Sequence, residues 1–270
     1  MNNLTNDVVA ITGASSGIGR QVAIEAAKRG ARVILMARSV DKLNEVKDFC
    51  DQINPDSATI YPLDVGNTDE IDEVVGKIYD DFGRIDYLLN AAGFGKFDSD
   101  FVNADFDSVQ EMFIVNVLGT MYMTRVVAAR MIEQSYGHIL NIGSMAGKIP
   151  TAKSAGYSAT KAAVIAFSDS LRLELRPFNI NVTTINPGPV NTEFFNIADP
   201  EGNYINNLRK LPISGMIFLE PEDLATEIVD TFGQNKRELN RPRIMAAASV
   251  LYKVMPRVGD YLNSRIGSLK

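Results

Sequence analysis

The stretch VVAITGASSGIG, residues 8–19, decides the fold. Its first half is a short β-branched run that ends in glycine, which is typical of a buried strand. Its second half, TGASSGIG (residues 12–19), joins that strand to a helix predicted from about Ile18 to Arg29, and we call it the glycine loop. Such a turn lets the backbone approach a pyrophosphate at the helix N-terminus, where free N–H groups and the helix dipole favour negative charge. The stretch therefore predicts a dinucleotide site. The alternative is a turn that only connects the two elements.

The alternation of strand and helix continues along the chain. Further apolar strands are predicted at residues 32–37, 58–65, 85–93, 137–144 and 180–188. Continuous apolar strands between amphipathic helices indicate a parallel sheet covered on both faces. No linker, repeat or low-complexity segment divides the chain. We therefore expect one α/β domain of Rossmann type over residues 1–245, a doubly wound parallel sheet in three α/β/α layers.

The composition excludes several classes of site and partner. The 270 residues carry a net charge of −6, whereas a nucleic-acid-binding protein usually has a basic surplus. Cys50 and His138 are the only residues of their types, which rules out an internal disulfide and cysteine- or histidine-cluster metal sites. His138, at the start of a strand, is expected to be structural, and Cys50 incidental. We expect no metal and no nucleic acid.

The chain also lacks the patterns of secretion and membrane insertion. Its first residues have no positively charged segment followed by an apolar one, so no secretory signal is predicted. No run approaches the roughly 20 apolar residues of a membrane span. We therefore expect a cytoplasmic protein.

Tyr157 and Lys161 lie four positions apart in YSATK and share one face of a predicted helix. A phenol with a pKa near 10 is a poor base at neutral pH, and lowering that pKa by about three units requires roughly 4 kcal/mol of preferential stabilisation of the phenolate. One ammonium about 4 Å away supplies about that much at an effective dielectric constant near 20. The alternative is a buried tyrosine beside a lysine that reaches solvent. Together with the glycine loop, the pair indicates a general acid/base centre.

These motifs together resemble the short-chain dehydrogenase/reductase family. The glycine loop has the spacing T-G-x-x-x-G-x-G, and NAAG (residues 90–93) resembles the family's asparagine-containing sheet motif, commonly NNAG. LDV (63–65) resembles its adenine-contacting segment, and NPGPVNT (186–192) the segment that cups the nicotinamide. The similarity covers roughly residues 5–230, and IGS (142–144) replaces the family's ISS.

The resemblance implies a catalytic tetrad of Asn116, Ser144, Tyr157 and Lys161. In such a tetrad Tyr157 protonates a carbonyl oxygen as hydride arrives from the nicotinamide, or accepts the proton in the reverse direction. Ser144 orients that oxygen, Lys161 also binds the nicotinamide ribose, and Asn116 holds a water that links Lys161 to solvent. The cofactor-binding residues that the resemblance implies are Gly13, Ser15, Ser16, Gly17, Ile18, Gly19, Arg38, Asp64, Val65, Asn90, Ala91, Gly93, Tyr157, Lys161, Pro187, Gly188, Val190 and Thr192.

The end of the second strand indicates which nicotinamide cofactor binds. NAD-selective sites have an acid there for the ribose hydroxyls, whereas an arginine suits a 2′-phosphate. The sequence LMARSVDK has Ala37 in place of the family's acid and Arg38 next, with no nearby acid to repel the phosphate. We therefore expect NADP(H). The alternative is a surface arginine without this role.

Substrate selection is expected from the segments that follow the strand ends. Two of them, residues 93–101 and about 192–220, are rich in apolar side chains: Phe94, Phe97, Phe101, Phe194, Phe195, Ile197, Tyr204, Ile205, Met216, Ile217 and Phe218. We expect the second segment to be a lid over an apolar carbonyl or alcohol. The alternative is that these side chains only pack the loop down.

The C-terminal residues differ in charge from the rest of the chain. Residues 241–270 contain six basic residues and one acid, a balance of +5, which leaves −11 to the first 240 residues. A short strand is predicted at 241–245, followed by a basic amphipathic helical extension over 246–270 that Pro256 kinks. Its apolar stripe is Val250, Leu251, Val254, Val258, Tyr261 and Leu262, flanked by Lys253, Arg257 and Arg265. We expect this stripe to pack on its own fold or on a partner subunit. Peripheral membrane contact is the alternative.

The expected function is therefore that of an NADP(H)-dependent carbonyl reductase or alcohol dehydrogenase acting on a small molecule. The family resemblance implies a homo-oligomer, a dimer or a tetramer. One alternative is a non-catalytic NADP(H)-binding sensor, although a sensor has no need of Tyr157 with Lys161. Another is a nucleotide-sugar epimerase or dehydratase, whose glycine loop is tighter and whose chain has a larger C-terminal domain. The sequence does not identify the substrate.

Overall fold

A computed structural model describes residues 2–97, 100–210 and 214–267. Its centre is a seven-stranded parallel sheet in the order β3-β2-β1-β4-β5-β6-β7. The strands are β1 (Val8–Thr12), β2 (Arg32–Ala37), β3 (Ala58–Pro62), β4 (Tyr87–Asn90), β5 (Gly137–Ile142), β6 (Ile180–Pro187) and β7 (Glu238–Arg241). The strand order reverses between β1 and β4, where ligands of doubly wound sheets bind. The predicted α/β fold of Rossmann type is confirmed.

Helices cover both faces of this sheet. They are α1 (Gly17–Lys28), α2 (Val40–Ile53), α3 (Thr68–Phe82), α4 (Phe106–Phe113), α5 (Thr120–Gln134), α6 (Ala155–Leu175), α7 (Phe194–Ala198), α8 (Asn203–Arg209), α9 (Ser214–Ile217), α10 (Pro221–Asp230), α11 (Arg243–Val254) and α12 (Pro256–Gly267). Apolar side chains of α1, α2 and α10 bury one face, and those of α3, α5 and α6 bury the other. The core is thus two layers, one on each side of the sheet.

The register of the strands brings polar side chains to one edge of the sheet. Thr12 at the end of β1 is paired with Asn90 of β4, and Asn90 with Asn141 of β5. The carboxyl ends of these three central strands therefore lie side by side. The glycine loop and the segments that follow β4 and β5 emerge there, so the fold itself brings the predicted motifs together.

One helix is more apolar than the sequence analysis expected. α4, a π-helical segment (Ile114–Gly119) and α5 form a continuous helix over Phe106–Gln134, long and apolar enough by length and composition to cross a membrane. Half of its most apolar window is buried inside the protein, and Met123, Val127 and Met131 are fully buried in the layer against the sheet. The packing identifies this helix as a core helix.

The predicted strand at 241–245 is wrong in position. The strand is β7, which pairs with Thr184–Pro187 of β6 and ends at Arg241. Pro242 has no N–H to continue the ladder, and it lies instead at the N-cap of α11. The helical extension is present, and its break lies between Val254 and Pro256, where the kink was predicted.

Candidate active site

The glycine loop has the shape that a phosphate requires. Gly13 and Gly17 have φ of +66° and +52°, a left-handed region in which other residues are strained. A Cβ at Gly13 would lie 2.7 Å from the backbone of Ala92, so the loop passes too close to the end of β4 for any side chain. Ser16 is the N-cap of α1 but makes no side-chain cap bond, which leaves its hydroxyl and the first N–H groups of α1 for a ligand.

Buried hydrogen bonds fix this loop to the neighbouring strand. The Thr12 hydroxyl accepts hydrogen bonds from the N–H groups of Ala91 and Ala92, at 3.1 and 3.2 Å. A Cβ at Gly19 would lie 2.4 Å from the carbonyl oxygen of Gly13. The first turn of α1 therefore packs too closely on the glycine loop to admit a side chain at position 19. The NAAG motif and the glycine loop are thus one unit.

The segment after β6 closes the other side of the loop. Gly188 N–H donates to the Arg241 carbonyl at 2.6 Å, and Val190 forms a bridge with Leu219. The side chain of Thr192 is the nearest group to the position of a Cβ on Gly17, at 3.7 Å. The predicted nicotinamide segment, Pro187 to Thr192, therefore runs back to the glycine loop.

Tyr157 and Lys161 share the inner face of α6, as the sequence predicts, and both are buried. The Lys161 ammonium donates to the Ile142 carbonyl at 2.9 Å and lies 5.7 Å from the centre of the Tyr157 ring. Ser144 lies at the N-cap of the short turn Met145–Gly147, where its hydroxyl accepts from Ala146 N–H at 3.0 Å. Its side chain also lies near enough to the Tyr157 hydroxyl to lower the pKa of that phenol.

Asn116 lies in the π-helical segment and completes the tetrad. Its amide pairs with the backbone of Phe94 in both directions, at 3.0 and 2.8 Å, and also donates to Thr160 Oγ1 at 3.2 Å. A Cβ on Gly93 would lie 2.9 Å from Asn116 Oδ1 and 3.5 Å from Lys161 Nζ. Asn116 and Lys161 therefore flank Gly93 together. π-bulges are frequent at functional sites.

Burial sets the proton affinities of the central pair. It raises the pKa of the Tyr157 phenol above its ordinary value, and the Ser144 side chain opposes that rise. Burial also lowers the pKa of Lys161 to about 8. In the protein by itself, burial thus acts on the pKa of Tyr157 in the direction opposite to the one expected from Lys161.

Arg38 lies at the end of β2 as predicted, with 70% of its side chain exposed. One guanidinium nitrogen is 3.9 Å from Asp64 Oδ2. The expectation that no acid lies near Arg38 is thus wrong, because β3 runs parallel to β2 and the residues after it return to the same edge. An exposed pair at this distance contributes little, so the guanidinium can turn to another anion. Val65, beside Asp64, is buried against Gly119 of the π segment.

The Asn90 side chain is mainly engaged within the fold. Its amide donates to Thr124 Oγ1 and Asn141 Oδ1, both at 2.9 Å, and Asn141 in turn donates to Ser168 of α6 at 2.9 Å. Asn90 Oδ1 is buried without a hydrogen-bond partner. This polar ladder ties β4, β5 and α6 together behind the glycine loop, so Asn90 acts on the site mainly by holding these elements in place.

Aromatic side chains from the loop after β4 and from the predicted lid cover Tyr157. The ring of Phe97 meets the Tyr157 ring edge to face at 5.1 Å between centroids, and the Phe194 ring lies at 5.7 Å. Tyr204 lies 5.2 Å from Phe97 and stacks on Phe195 at 6.4 Å. Phe97 N–H donates to the Ala198 carbonyl at 2.6 Å, which joins the loop after β4 to α7. These rings form one cluster at the catalytic tyrosine.

Other residues of the two apolar segments lie away from this cluster. Phe101 of the first segment and Ile197 and Met216 of the predicted lid are exposed, and Leu211 to Ile213 lie outside the described residues. A cleft of about 730 Å³ lies beside the cluster, lined among others by Val190, Thr192, Phe195, Ile205, Arg209 and Phe218. Apolar and polar groups meet in it next to the predicted nicotinamide segment.

Two contributors to the site were not predicted. Thr160, within YSATK itself, accepts from Asn116 and donates to the Tyr157 carbonyl at 2.7 Å, so it fixes Asn116 against α6. Thr151 forms a hydrogen bond with the buried hydroxyl of Tyr204. Nothing in the spacing of either threonine indicates these contacts, because each depends on a residue distant in sequence.

His138 is structural, as the sequence analysis expects. It is buried in β5, where Nδ1 accepts from Gly233 N–H at 3.2 Å and Nε2 lies 2.8 Å from Thr183 Oγ1. Burial lowers the pKa of His138 to about 3. Cys50 is also buried, on the inner side of α2, where burial raises the pKa of its thiol to about 12.

These residues fit a nicotinamide dinucleotide. Gly13 and Gly17 have left-handed φ angles, and a Cβ at Gly13 would clash with the backbone of Ala92, so the loop keeps the bare backbone that phosphate-binding turns use. Gly93 leaves open the space between Asn116 and Lys161, where a ribose hydroxyl would meet the ammonium. The site thus combines a dinucleotide-binding edge with a buried tyrosine, lysine and serine, the arrangement of a nicotinamide-dependent oxidoreductase.

Comparison with known proteins defines the class further. The family profile described as short chain dehydrogenase matches residues 7–201. An uncharacterized oxidoreductase of Staphylococcus aureus (strain USA300) is 35% identical over 236 residues, 87% of this chain and 95% of the relative. The chain therefore belongs to the short-chain dehydrogenase/reductase family and is an oxidoreductase of the kind that uses a nicotinamide cofactor.

Two solved structures carry the same fold. The closed form of serine dehydrogenase complexed with NADP⁺ aligns with a TM-score of 0.77 and 33% identity, over 86% of this chain and 94% of that one. A 3-ketoacyl-(acyl-carrier-protein) reductase from Brucella melitensis complexed with NADH aligns with a TM-score of 0.78 and 27% identity, over 88% and 97%. NADP⁺ is bound in one of these neighbours and NADH in the other. The preference of this chain for one cofactor must therefore depend on its own residues.

Proposed function

We propose that the protein is an NADP(H)-dependent carbonyl reductase or alcohol dehydrogenase for an apolar substrate. The observation that carries this proposal is the buried Tyr157, with Ser144 at its hydroxyl, Lys161 on the next turn and Phe97 and Phe194 over its ring. A buried proton donor beneath aromatic side chains suits a carbonyl group with apolar substituents.

The chain's residues have distinct roles in this reaction. Burial keeps the proton on Tyr157 at neutral pH, so the phenol is ready to donate it to a carbonyl oxygen. Ser144 holds that oxygen by a second hydrogen bond. A bound nicotinamide supplies the hydride and, when oxidised, a positive charge. Below pH 8 the Lys161 ammonium stabilises the phenolate that remains after proton transfer.

The path by which the phenolate recovers its proton involves Asn116. Its side chain lies next to Lys161 across Gly93 and is fixed by Phe94 and Thr160. We propose that Asn116 holds a water molecule that connects Lys161 to solvent. In the reverse reaction the same groups accept the proton of an alcohol.

Arg38 supports the preference for NADP(H). Its exposed guanidinium lies at the end of β2, beside the glycine loop, where a 2′-phosphate would accept bidentate hydrogen bonds. The Asp64 carboxylate would compete with this phosphate for the Arg38 guanidinium. In an NAD-type role this acid would instead bind ribose hydroxyls, so the balance between Arg38 and Asp64 decides the selectivity.

A non-catalytic NADP(H) sensor is the second candidate. The specific observation in its favour is the aromatic cover itself, which closes over Tyr157. The buried ammonium at Lys161 argues for catalysis, since a sensor gains nothing from the cost of burying it.

We further propose a homo-oligomer in the cytoplasm. Phe113, Ile114, Leu118 and Met121 are exposed on the continuous helix of Phe106–Gln134, although this face is apolar. A second copy of the chain would cover it. Light scattering after size exclusion tests this: Leu118→Glu should lower the mass by the loss of a subunit, and an unchanged mass would count against this face as the interface.

The decisive experiment is a screen of NADPH oxidation with aldehydes, ketones and diketones of increasing apolar size. The wild-type protein should turn over at least one class, with Tyr157→Phe as the inactive control and NADPH binding measured in parallel by fluorescence. NADPH binding without turnover of any compound would favour the sensor. Turnover only of small polar carbonyls would contradict the apolar substrate class.

A further inference from the structure

The C-terminal helices carry an apolar face that the rest of the described chain does not cover. Val250 and Leu251 are adjacent in α11, Val254 lies one turn further on, and the three side chains are 63%, 48% and 74% exposed. Met255 and Val258 continue this face across the break into α12 and are also exposed. Of the stripe predicted from the sequence, five residues are exposed, and the side chain of the sixth, Leu262, lies outside those that the structure describes: the exposed ones are Val250, Leu251, Val254, Val258 and Tyr261. We call Val250, Leu251, Val254, Met255 and Val258 the apolar tail face.

The helix that carries this face is held firmly. On its opposite side Ser249 is buried, and Met245 and Pro242 pack so closely on Gly188 that a side chain there has no room. The two helices are also joined to each other, because the Tyr252 hydroxyl donates to Asp260 Oδ1 at 2.7 Å. The apolar tail face is thus presented on an anchored support.

Basic side chains border the apolar tail face. Lys253 and Arg257 adjoin it in sequence and are exposed, and Arg243 lies on the same side of α11 one helical repeat before Val250. The acid of this region, Asp260, is engaged by Tyr252. Since residues 241–270 carry +5 and the first 240 residues −11, an anionic surface attracts this end of the molecule and repels the rest.

α11 is attached to two elements of the candidate site. It is in contact with α9 of the predicted lid. Gly188, on which α11 packs, belongs to the predicted nicotinamide segment. The apolar tail face is therefore carried by a helix that contacts both elements.

We propose that α11 and α12 dock this protein on an anionic lipid bilayer. The apolar tail face lies in the interface, and Lys253 and Arg257 reach the lipid phosphates. A second copy of the chain is the other occupant to consider. In a symmetric contact the basic border of one copy would face the basic border of the other, which opposes that assembly.

Vesicle co-sedimentation of the full-length protein tests the docking. One set of vesicles contains phosphatidylglycerol with phosphatidylcholine, and the other contains phosphatidylcholine alone. Val250→Ser/Val254→Ser removes apolar contact, and Lys253→Glu/Arg257→Glu reverses charge. Matched controls are Phe49→Ser/Ile53→Ser on α2 and Lys28→Glu/Arg130→Glu, which make the same changes at exposed positions elsewhere. NADPH binding and circular dichroism verify that each variant is folded.

The wild-type protein should sediment with the anionic vesicles and bind neutral ones at least tenfold more weakly. The charge reversal should lower anionic binding at least tenfold, because each basic residue near such a surface contributes about fivefold. The apolar variant should lower it by a similar factor, and the controls should bind like wild type. Failure of the wild type to sediment, or equal losses in the controls, would overturn the proposal. So would a fall in oligomer mass in the apolar variant without vesicle binding, which would make the face a subunit interface.

Discussion

The ring of Phe194 lies 5.7 Å from the ring of Tyr157, so a side chain of the predicted lid covers the tyrosine that we propose as the proton donor. Phe194 follows Thr192, whose hydroxyl accepts from Phe194 N–H at 3.3 Å and whose side chain lies nearest to Gly17 of the glycine loop. Phe194, which covers Tyr157, is therefore only two residues along the chain from Thr192, which lies beside the glycine loop.

Replacement of Phe194 by alanine should uncover the tyrosine. We expect kcat/KM for apolar carbonyls to fall about tenfold, because an aromatic contact contributes roughly 0.5–1.5 kcal/mol beyond its buried area. Steady-state kinetics checks this, with Phe101→Ala, an exposed ring outside the cluster, as the control. Equal effects of the two changes would show that the cover does not act on the reaction.

Removal of the Tyr157 hydroxyl should stop the chemistry while cofactor binding persists. Tyr157→Phe should lower kcat by a factor of about 10² to 10⁴, the usual contribution of a positioned acid. Tyr204→Phe removes a neighbouring buried hydroxyl from the same aromatic cluster and should change kcat only a few-fold. A large loss in both variants would assign the effect to packing.

Arg38→Gln should reduce the preference for NADPH over NADH by about 10- to 100-fold, because a hydrogen bond to a charged group contributes about 1.5–3 kcal/mol. Arg32→Gln, at the other end of β2, is the matched control. The ratio of kcat/KM values for the two cofactors is the measurement. An unchanged ratio in Arg38→Gln would remove this residue from cofactor selection.

Lys161 should make activity and stability change in opposite directions at alkaline pH. Its pKa in the folded protein is about 8, below the unfolded value of 10.5, so the ammonium is present below pH 8 and lost above it. The kcat/KM of carbonyl reduction and the affinity for NADPH should therefore decline above pH 8.

Over the same range the unfolded chain retains the proton that the folded chain has lost. The free energy of unfolding should accordingly rise by about 1.5 kcal/mol between pH 8 and pH 9.5. Urea unfolding at several pH values measures this. Lys161→Met should flatten the rise, and an identical rise in that variant would assign it to another group.

His138 should remain neutral throughout the physiological range. Its folded pKa of about 3 lies below the ordinary 6.5, so its contribution to stability is complete above pH 6.5 and is lost as the pH falls toward 3. The loss should approach about 1.4 kcal/mol per pH unit. As the protein has one histidine, a single imidazole signal in the NMR spectrum reports it directly. A chemical-shift titration between pH 5 and 8 would contradict its burial.

The sequence by itself determined the architecture and indicated which side chains we propose as catalytic. Runs such as VVAIT and RVILMA can only be buried on both sides, which requires a parallel sheet with helices on each face. The glycines at 13, 17 and 19 and the i, i+4 spacing of Tyr157 and Lys161 depend on local geometry, and local geometry can be inferred from spacing. The position of β7 was misjudged because strand pairing, rather than composition, decides where an edge strand ends.

Only the tertiary structure decided how these side chains behave. Lys161 and Tyr157 are buried together, and their proton affinities follow from desolvation by residues distant in sequence, which no spacing shows. The proximity of Asp64 to Arg38 comes from strand pairing, and the cover of Tyr157 by Phe97 and Phe194 comes from two loops that meet above the sheet. The sequence could not decide whether the apolar tail face is exposed, for the same reason. An apolar stripe shows which side chains a helix can bury, but the neighbouring elements determine whether those side chains are buried.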